Sequence, residues 1–480
     1  MEQQIIQSNP LMEAFGNAKT CRNHNSSRFG KFFYLQYDRS HQLVGSSISM
    51  YLLEKSRVVA PPTGERSYHI LYQLCAAAAT DAGLGQRLQL DAAEGAGGFT
   101  YCMRGGVTTI AGVDDAADFG ATITAMATLG FSEEDRDAVM RVLAGILHLG
   151  NVSFDSKSGG SVPSASVGGS RAAVTDDEAA HVVAGRALSA AASLLGLDEA
   201  TTKRALESRS MRIDGQTVET PVSVASAGDG RDALAKVLYG RLFEWLVARI
   251  DESMSASGSA AGGLAIGVLD IFGFEVMEKV NSFEQLCINY ANERLHQQFN
   301  RGYFTAELEE FASEGITIDP SSIKYPDNQD CLDLFEQRPL GLLSLMEESC
   351  RLAQSTDQMM VQTFCDKLSA SSRFEKVRTD RMAFVINHFA CPVKYDAAGM
   401  IDKNLDNVPA GLVEVACAST QPLVRELFES KRAAAGGGPK RALYTVAGEF
   451  KNQLTDLMNT LTSSSLHYIR CIKVRVLAAI

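Results

Sequence analysis

Two short stretches carry residue types that could hold a metal ion against a phosphate. In "NAKTCRNHNSSRFGKFF", residues 17 to 33, two adjacent hydroxyls, Ser26 and Ser27, follow Asn23 and Asn25 and precede Arg28. In an extended loop successive side chains point to opposite sides, so one hydroxyl can ligate magnesium while the other faces a phosphate and an attacking water. Arg28 adds a planar fork that pairs bidentately with a carboxylate or a phosphate. Far downstream, "LAIGVLDIFGFE" delivers Asp270 at the end of an apolar run, then Gly273 and Glu275. A carboxylate so placed reaches magnesium through the ion's water, and a glycine lets a bare backbone N–H approach the phosphate. Each stretch also has an ordinary reading: a strand-terminating turn for Asp-x-x-Gly, and an Asn/Ser-rich turn with a solvated arginine for the other. Glu275 is the tempting partner of Arg28, and only the fold can bring the two together.

The elements that must position these groups follow from periodicity. Residues 1 to 20 read as a helix on Ile5, Ile6, Leu11, Met12 and Phe15, interrupted at Pro10. "RFGKFFYLQYD" and "LVGSSISMYLL" read as a hairpin joined through "DRSHQ". From about 66 to 250 the pattern is mostly helical, with a Ser/Gly-rich surface loop at "DSKSGGSVPSASVGGSRAAV" and an irregular segment over 208–230 before the helix "RDALAKVLYGRLFEWLVARIDESM". A glycine-rich linker at 257–263 leads to the run ending in Asp270, which reads as a buried strand. A long helix follows, with Asn281 and Glu284 as its capping box and a stripe of Ile288, Ala291, Leu295, Phe299 and Tyr303. "KRAAAGGGPKR" reads as a flexible loop with basic ends.

Composition narrows the partners. The 480 residues are 45% apolar, enough for a substantial core, and the net charge of −12 excludes a general affinity for nucleic acid or anionic lipid. Ten cysteines without metal-ligand spacing suit a reduced cytosolic interior. The amino terminus lacks the basic and apolar regions of a secretory signal, and "SASGSAAGGLAIGVL" is too short and glycine-rich to span a bilayer, so no membrane insertion is expected.

Taken together, the motifs resemble the myosin motor domain. "NHNSSRFGK" resembles that family's switch I, "DIFGFE" its switch II and "NSFEQLCINYANERLHQQFN" its relay helix, while "EAFGNAKT", "RDALAKVLYGRLFEWLV" and "HYIRCIK" match further blocks in the family's order, from about residue 3 to 473. The resemblance implies an α/β, P-loop-NTPase-like motor core, mostly helical with a mixed central sheet that is incomplete here. It implies switch I and the upper subdomain over 1–256, switch II, relay helix and lower subdomain over 257–430, the family's loop 2 over 431–441, and a segment returning to the sheet over 442–480. The cofactor implied is Mg2+ with ATP. Ser27 would bind magnesium directly and Asp270 through water; Ser26 and the Gly273 backbone would flank the γ-phosphate; Asn23 and Asn25 would line the pocket; and an Arg28–Glu275 salt bridge would close it. The partner implied is the actin filament, met by Pro339, Leu340 and Gly341 and by Lys431, Arg432, Lys440 and Arg441, in a cytoplasmic, cytoskeletal setting, with light chains only in a longer parent chain. Gln216 stands where the family often carries an acidic or phosphorylatable residue.

Two departures qualify the resemblance. The only Gly-Lys pair, Gly30-Lys31, fails the Walker A pattern, because Asn25 replaces its first glycine and Phe32 follows the lysine. The match begins downstream of that loop, and after "RCIK" the chain continues with "VRVLAAI" rather than Pro-Asn and the converter. Very weak nucleotide binding and an uncovered sheet edge are therefore expected. The alternative function is a non-catalytic actin-binding module, or a truncated product without ATPase activity. A GTPase-like switch is disfavoured by the absence of Asn-Lys-x-Asp.

Overall fold

The computed structural model describes residues 1–91, 93–156, 179–183, 185–213, 216–255, 264–316, 327–352, 354–434 and 445–469. These form two compact units, one of residues 1–272 with 402–443, the other of 273–401 with 444–480.

In the first unit, helix α1 (Glu2–Gly16) runs through Pro10 without a break. Buried Leu11, Met12 and Phe15 hold its second half against the core, which outweighs the roughly 3 kcal/mol that an interior proline costs. Strands β1 (Asn17–Ala18) and β2 (Ser26–Ser27) pair antiparallel. Next, β3 (Gly30–Tyr37) and β4 (Leu43–Tyr51) make the expected hairpin, whose turn is held by Asp38 Oδ1 accepting from the Ser40 and Gln42 amides at 2.8 and 2.9 Å.

The helical stretch centres on α2 (His69–Thr80) and α3 (Glu133–Gly150). α3 starts at a Ser132–Asp135 capping box, with Glu133 and Glu134 at its positive end and His148 at its negative end. Where the sequence reads as irregular over 208–230, β5 (Ser208–Ile213) and β6 (Gln216–Pro221) pair antiparallel, and Gln216 opens β6. Ser223 then caps α4 (Val224–Met254), seven residues earlier than the apolar pattern begins, because the cap rather than the stripe sets the start. α4 is the spine of this unit: Leu234, Leu242, Phe243, Leu246 and Ile250 are buried, Tyr239 stacks on Tyr68 and donates to the Phe15 carbonyl at 2.7 Å, and Asp251 accepts from the Ile48 amide.

Strand β7 (Leu264–Asp270) pairs with β3, giving the order β4-β3-β7, antiparallel throughout. A buried strand in a mixed sheet is expected from the sequence. The uncovered edge also expected is at β7: among the described residues it has one neighbour, and Leu264, Ile266 and Val268 are 60, 53 and 48% exposed. Their apolar character suits a covered sheet position, and no described element covers it.

In the second unit, α5 (Phe283–Ser313) begins one residue later than the expected box, with Ser282 and Gln285 as the reciprocal pair. Asn281 is occupied elsewhere, accepting from the Met277 amide and donating to the Lys394 carbonyl. A helical hairpin is formed by α6 (Gln329–Glu336) and α7 (Leu342–Arg351). Leu340 in its turn is 47% exposed, whereas Gly341 is buried, where a Cβ would lie 2.5 Å from the Gln337 carbonyl. Gly341 therefore shapes the tip and does not face outward. Strands β8 (Phe374–Lys376), β9 (Ala383–Asn387) and β10 (Pro392–Asp396) form an antiparallel sheet, and α8 (Val446–Thr462) completes the unit.

The basic loop is in part helical. Lys431 and Arg432 fall inside a helix spanning Pro422–Ala434, because the apolar stripe of Leu423, Val424, Leu427 and Phe428 carries the helix onward, while Lys440 and Arg441 lie outside the described residues. Among the described residues no helix is long and apolar enough to cross a membrane.

Candidate functional site

The hydroxyl pair and the aspartate both belong to the first unit, the serines on β2 and Asp270 at the end of β7. β3 and β7 are antiparallel neighbours with Lys31 opposite Asp270, so the start of β3 and the end of β7 coincide. Ser27 lies four residues before Lys31. Adjacent positions in β2 send Ser26 and Ser27 to opposite sides. Ser26 Oγ accepts from an Arg28 amino group at 3.2 Å, whereas the Ser27 hydroxyl has no hydrogen-bond partner among the described residues. The Asp270 carboxyl is 59% exposed, with Lys31 Nζ at 3.7 Å. A free hydroxyl and an exposed carboxylate are hard oxygen donors that fit magnesium.

The loop that presents the serines is built on its asparagines. Thr20 Oγ1 accepts from the Asn23 amide at 3.0 Å, and Asn23 Oδ1 accepts from the Asn25 amide at 3.0 Å. The Asn25 side chain accepts from Asn17, donates to Glu13 and bonds His69 Nε2 at 3.2 Å. Both asparagines thus hold the loop in shape. Burial pushes the imidazole of His69 down to about 4, with the nearby Arg66 charge adding to it, so His69 is neutral at pH 7.

Arg28 is 1% exposed, and its Nε donates to Glu54 at 2.6 Å. Glu54 also receives Arg57 Nε at 2.8 Å, and Arg57 pairs with Glu65 at 2.7 Å. Burial alone would raise the Glu54 carboxyl, but the Arg28 and Arg57 charges outweigh it and hold its pKa at about 2. Sequence reasoning missed Glu54, although "LLEKSRVV" places an i,i+3 Glu–Arg pair against two valines, a signal for a buried ion pair.

Gly273 and Glu275 belong to the second unit. There, Asn289 Oδ1 accepts from the Glu275 amide and Asn289 Nδ2 donates to the Glu275 carbonyl, both at 2.8 Å, while Gln285 reaches the Glu275 carboxylate at 3.4 Å. Neither asparagine nor glutamine was singled out from the sequence.

Glu293, Cys331 and His388 form a buried cluster of metal-ligand types whose ligand atoms lie within 4.8 Å of one another. Their donors and acceptors are already matched: Glu293 accepts from His388, the Phe389 amide, Cys331 and Asn328. Burial opposes the Glu293 charge, yet these hydrogen bonds keep its carboxyl below the ordinary value, and burial pushes the Cys331 thiol far up. With these bonds made, the cluster is a hydrogen-bond network. A separate concavity of about 560 Å³, lined by Arg87, Asp137 and Arg141 among others, involves none of these residues.

Comparison with known proteins agrees with the motifs. The family model described as "Myosin head (motor domain)" matches residues 1–476. The chain is 40% identical over 492 residues to "Myosin-3" of Arabidopsis thaliana, covering 98% of this chain and 40% of that protein. It is 39% identical over 496 residues to "Unconventional myosin-Vb" of Mus musculus, covering 98% and 26%, and 40% identical over 480 residues to "Myosin-I heavy chain" of Dictyostelium discoideum, covering 98% and 19%. The chain belongs to the myosin head (motor domain) family, and it spans two-fifths or less of the length of these relatives.

Proposed function

We propose that this chain forms the switch-bearing and filament-binding part of an actin-based motor head that couples magnesium-dependent ATP hydrolysis to actin binding in the cytoplasm. Residues 1–256 would carry switch I and the upper subdomain, 257–430 switch II and the lower subdomain, and 431–441 the loop that steers toward an acidic filament. Ser27 and Asp270 would hold Mg2+, Ser26 and the Gly273 backbone would flank the γ-phosphate, and Asn23 and Asn25 would shape the pocket wall. Bound Mg2+ would offset charge on the phosphate oxygens. Arg28 and Glu275 would pair to close the pocket, and Pro339, Leu340, Lys431, Arg432, Lys440 and Arg441 would meet actin, with Gly341 setting the tip.

The observation that supports this reading is the β3–β7 register, which sets Lys31, four residues after Ser27, opposite Asp270. Co-sedimentation with filamentous actin, with and without MgATP, tests it. Binding that MgATP weakens is expected. Binding indifferent to ATP would favour a passive actin-binding module, and no binding at all would sink the reading. Arg28→Ala should abolish the ATP sensitivity, since it removes the proposed closing pair.

A further inference from the structure

A one-way chain of buried hydrogen bonds runs behind Glu275, and its direction can be derived from one backbone amide. An N–H can only donate, so the Glu275 amide requires Asn289 Oδ1 to face it, 2.8 Å away. That orients the carboxamide, and Nδ2 then spends its two hydrogens on the Glu275 carbonyl at 2.8 Å and the Tyr395 hydroxyl oxygen at 2.9 Å. Having accepted there, Tyr395 turns its own hydrogen to His388 Nε2, at 2.7 Å. Nε2 is therefore the accepting nitrogen of the imidazole, and Nδ1 carries the hydrogen that goes to Glu293 Oε1 at 2.9 Å. The chain ends on a carboxylate with three further donors, from Phe389, Cys331 and Asn328. Asn289, Tyr395 and Glu293 are fully buried, so no water competes for these bonds.

We propose that Asn289 is the positioning residue for Glu275, with its carboxamide locked from behind by Tyr395 and a His388 protonated on Nδ1. Asn289 clamps both the N–H and the C=O of Glu275, which sets the direction in which that carboxylate leaves the backbone. Turning the carboxamide over would set two N–H groups against each other at Glu275 and leave Tyr395 without its donor. The backbone of one loop is thereby tied to β10 and to the segment after β9. The functional sense of this proposal rests on the role proposed for Glu275, whereas its test needs neither nucleotide nor actin. A failed actin experiment would leave the clamp standing, and a failed clamp would leave the actin reading untouched.

Two measurements on the intact chain test it. Nitrogen-15 spectra of the histidine rings should show the His388 proton on Nδ1; a proton on Nε2 would overturn the proposal. Hydrogen exchange read at the Glu275 amide should be about tenfold faster in Asn289→Leu, the equivalent of one lost buried hydrogen bond. In Asn289→Asp, which keeps the acceptor, the Glu275 amide should stay protected, and amides in the first turns of α5 should be unchanged in both variants. Tyr395→Phe removes one oxygen and preserves packing, so it serves if Asn289→Leu does not fold; it should speed Glu275 exchange a few-fold. Exchange at Glu275 equal to wild type in both Asn289→Leu and Tyr395→Phe would overturn the proposal.

Discussion

Replacing Glu54 with glutamine isolates the charge that holds Arg28. Glu54 is the shared partner of two buried guanidinium groups, Arg28 at 2.6 Å and Arg57 at 2.8 Å. Arg57 keeps Glu65 at 2.7 Å after the substitution, so Arg28 bears most of the loss. Removing one member of a buried ion pair typically costs about 3–5 kcal/mol. An independent route gives a similar size: lowering the carboxyl from 4.5 to about 2 corresponds to roughly 3 kcal/mol of folded-state preference for the charged form. Because the folded pKa is depressed, this stability is fully present above pH 4.5 and is lost as pH falls from there through about 2. Trp245 is the chain's single tryptophan, sits on α4 in the first unit and packs edge-on to Phe131, so its fluorescence reports unfolding of that unit. Urea titrations of wild type and Glu54→Gln should differ by about 3 kcal/mol at pH 7, and the difference should shrink below pH 4.5. A difference under about 1 kcal/mol, the size of an exposed pair, or one that does not change with pH, would refute the assignment of Glu54 as the charged anchor of Arg28.

Converting Leu264, Ile266 and Val268 to threonine keeps β propensity and removes the exposed apolar strip on β7, so light scattering should show less self-association than wild type at equal concentration. Gly341→Ala places a Cβ 2.5 Å from a backbone carbonyl that cannot move aside cheaply, and should destabilise the α6–α7 hairpin by about 1–3 kcal/mol, visible as a lower melting temperature. Cys21 is exposed, whereas Cys287 and Cys331 are buried with thiols pushed well up by burial; timed alkylation at pH 8 with peptide mapping should therefore label Cys21 first and leave those two unlabelled until the protein unfolds.

Local chemistry made much of the architecture readable. The 30–51 hairpin and the long helix after Asp270 follow from periodicity, turn residues and capping types that act within a few positions along the chain. The misreadings arose where distant packing overrode a local cue: Pro10 sits within an unbroken helix because Leu11, Met12 and Phe15 are anchored in the core, and the helix boundary at Lys431 was hidden by the glycines beyond it. The uncovered sheet edge expected from the sequence lies at β7, which among the described residues has one neighbour, since an apolar run records what a strand is suited to pack against and not which neighbour it has.

Residue identity and order alone established membership of the motor-head family and the candidates Ser26, Ser27, Arg28, Asp270 and Glu275, because motif spacing is written along the covalent chain. Tertiary structure decided that the start of β3, just after Ser27, lies beside Asp270, that Glu54 is an anchor of Arg28, and that Asn289, Tyr395 and His388 stand behind Glu275. Strand register and the burial of polar groups depend on segments far apart in sequence, and the low dielectric that makes each buried charge demand a partner exists only once those segments have closed around it.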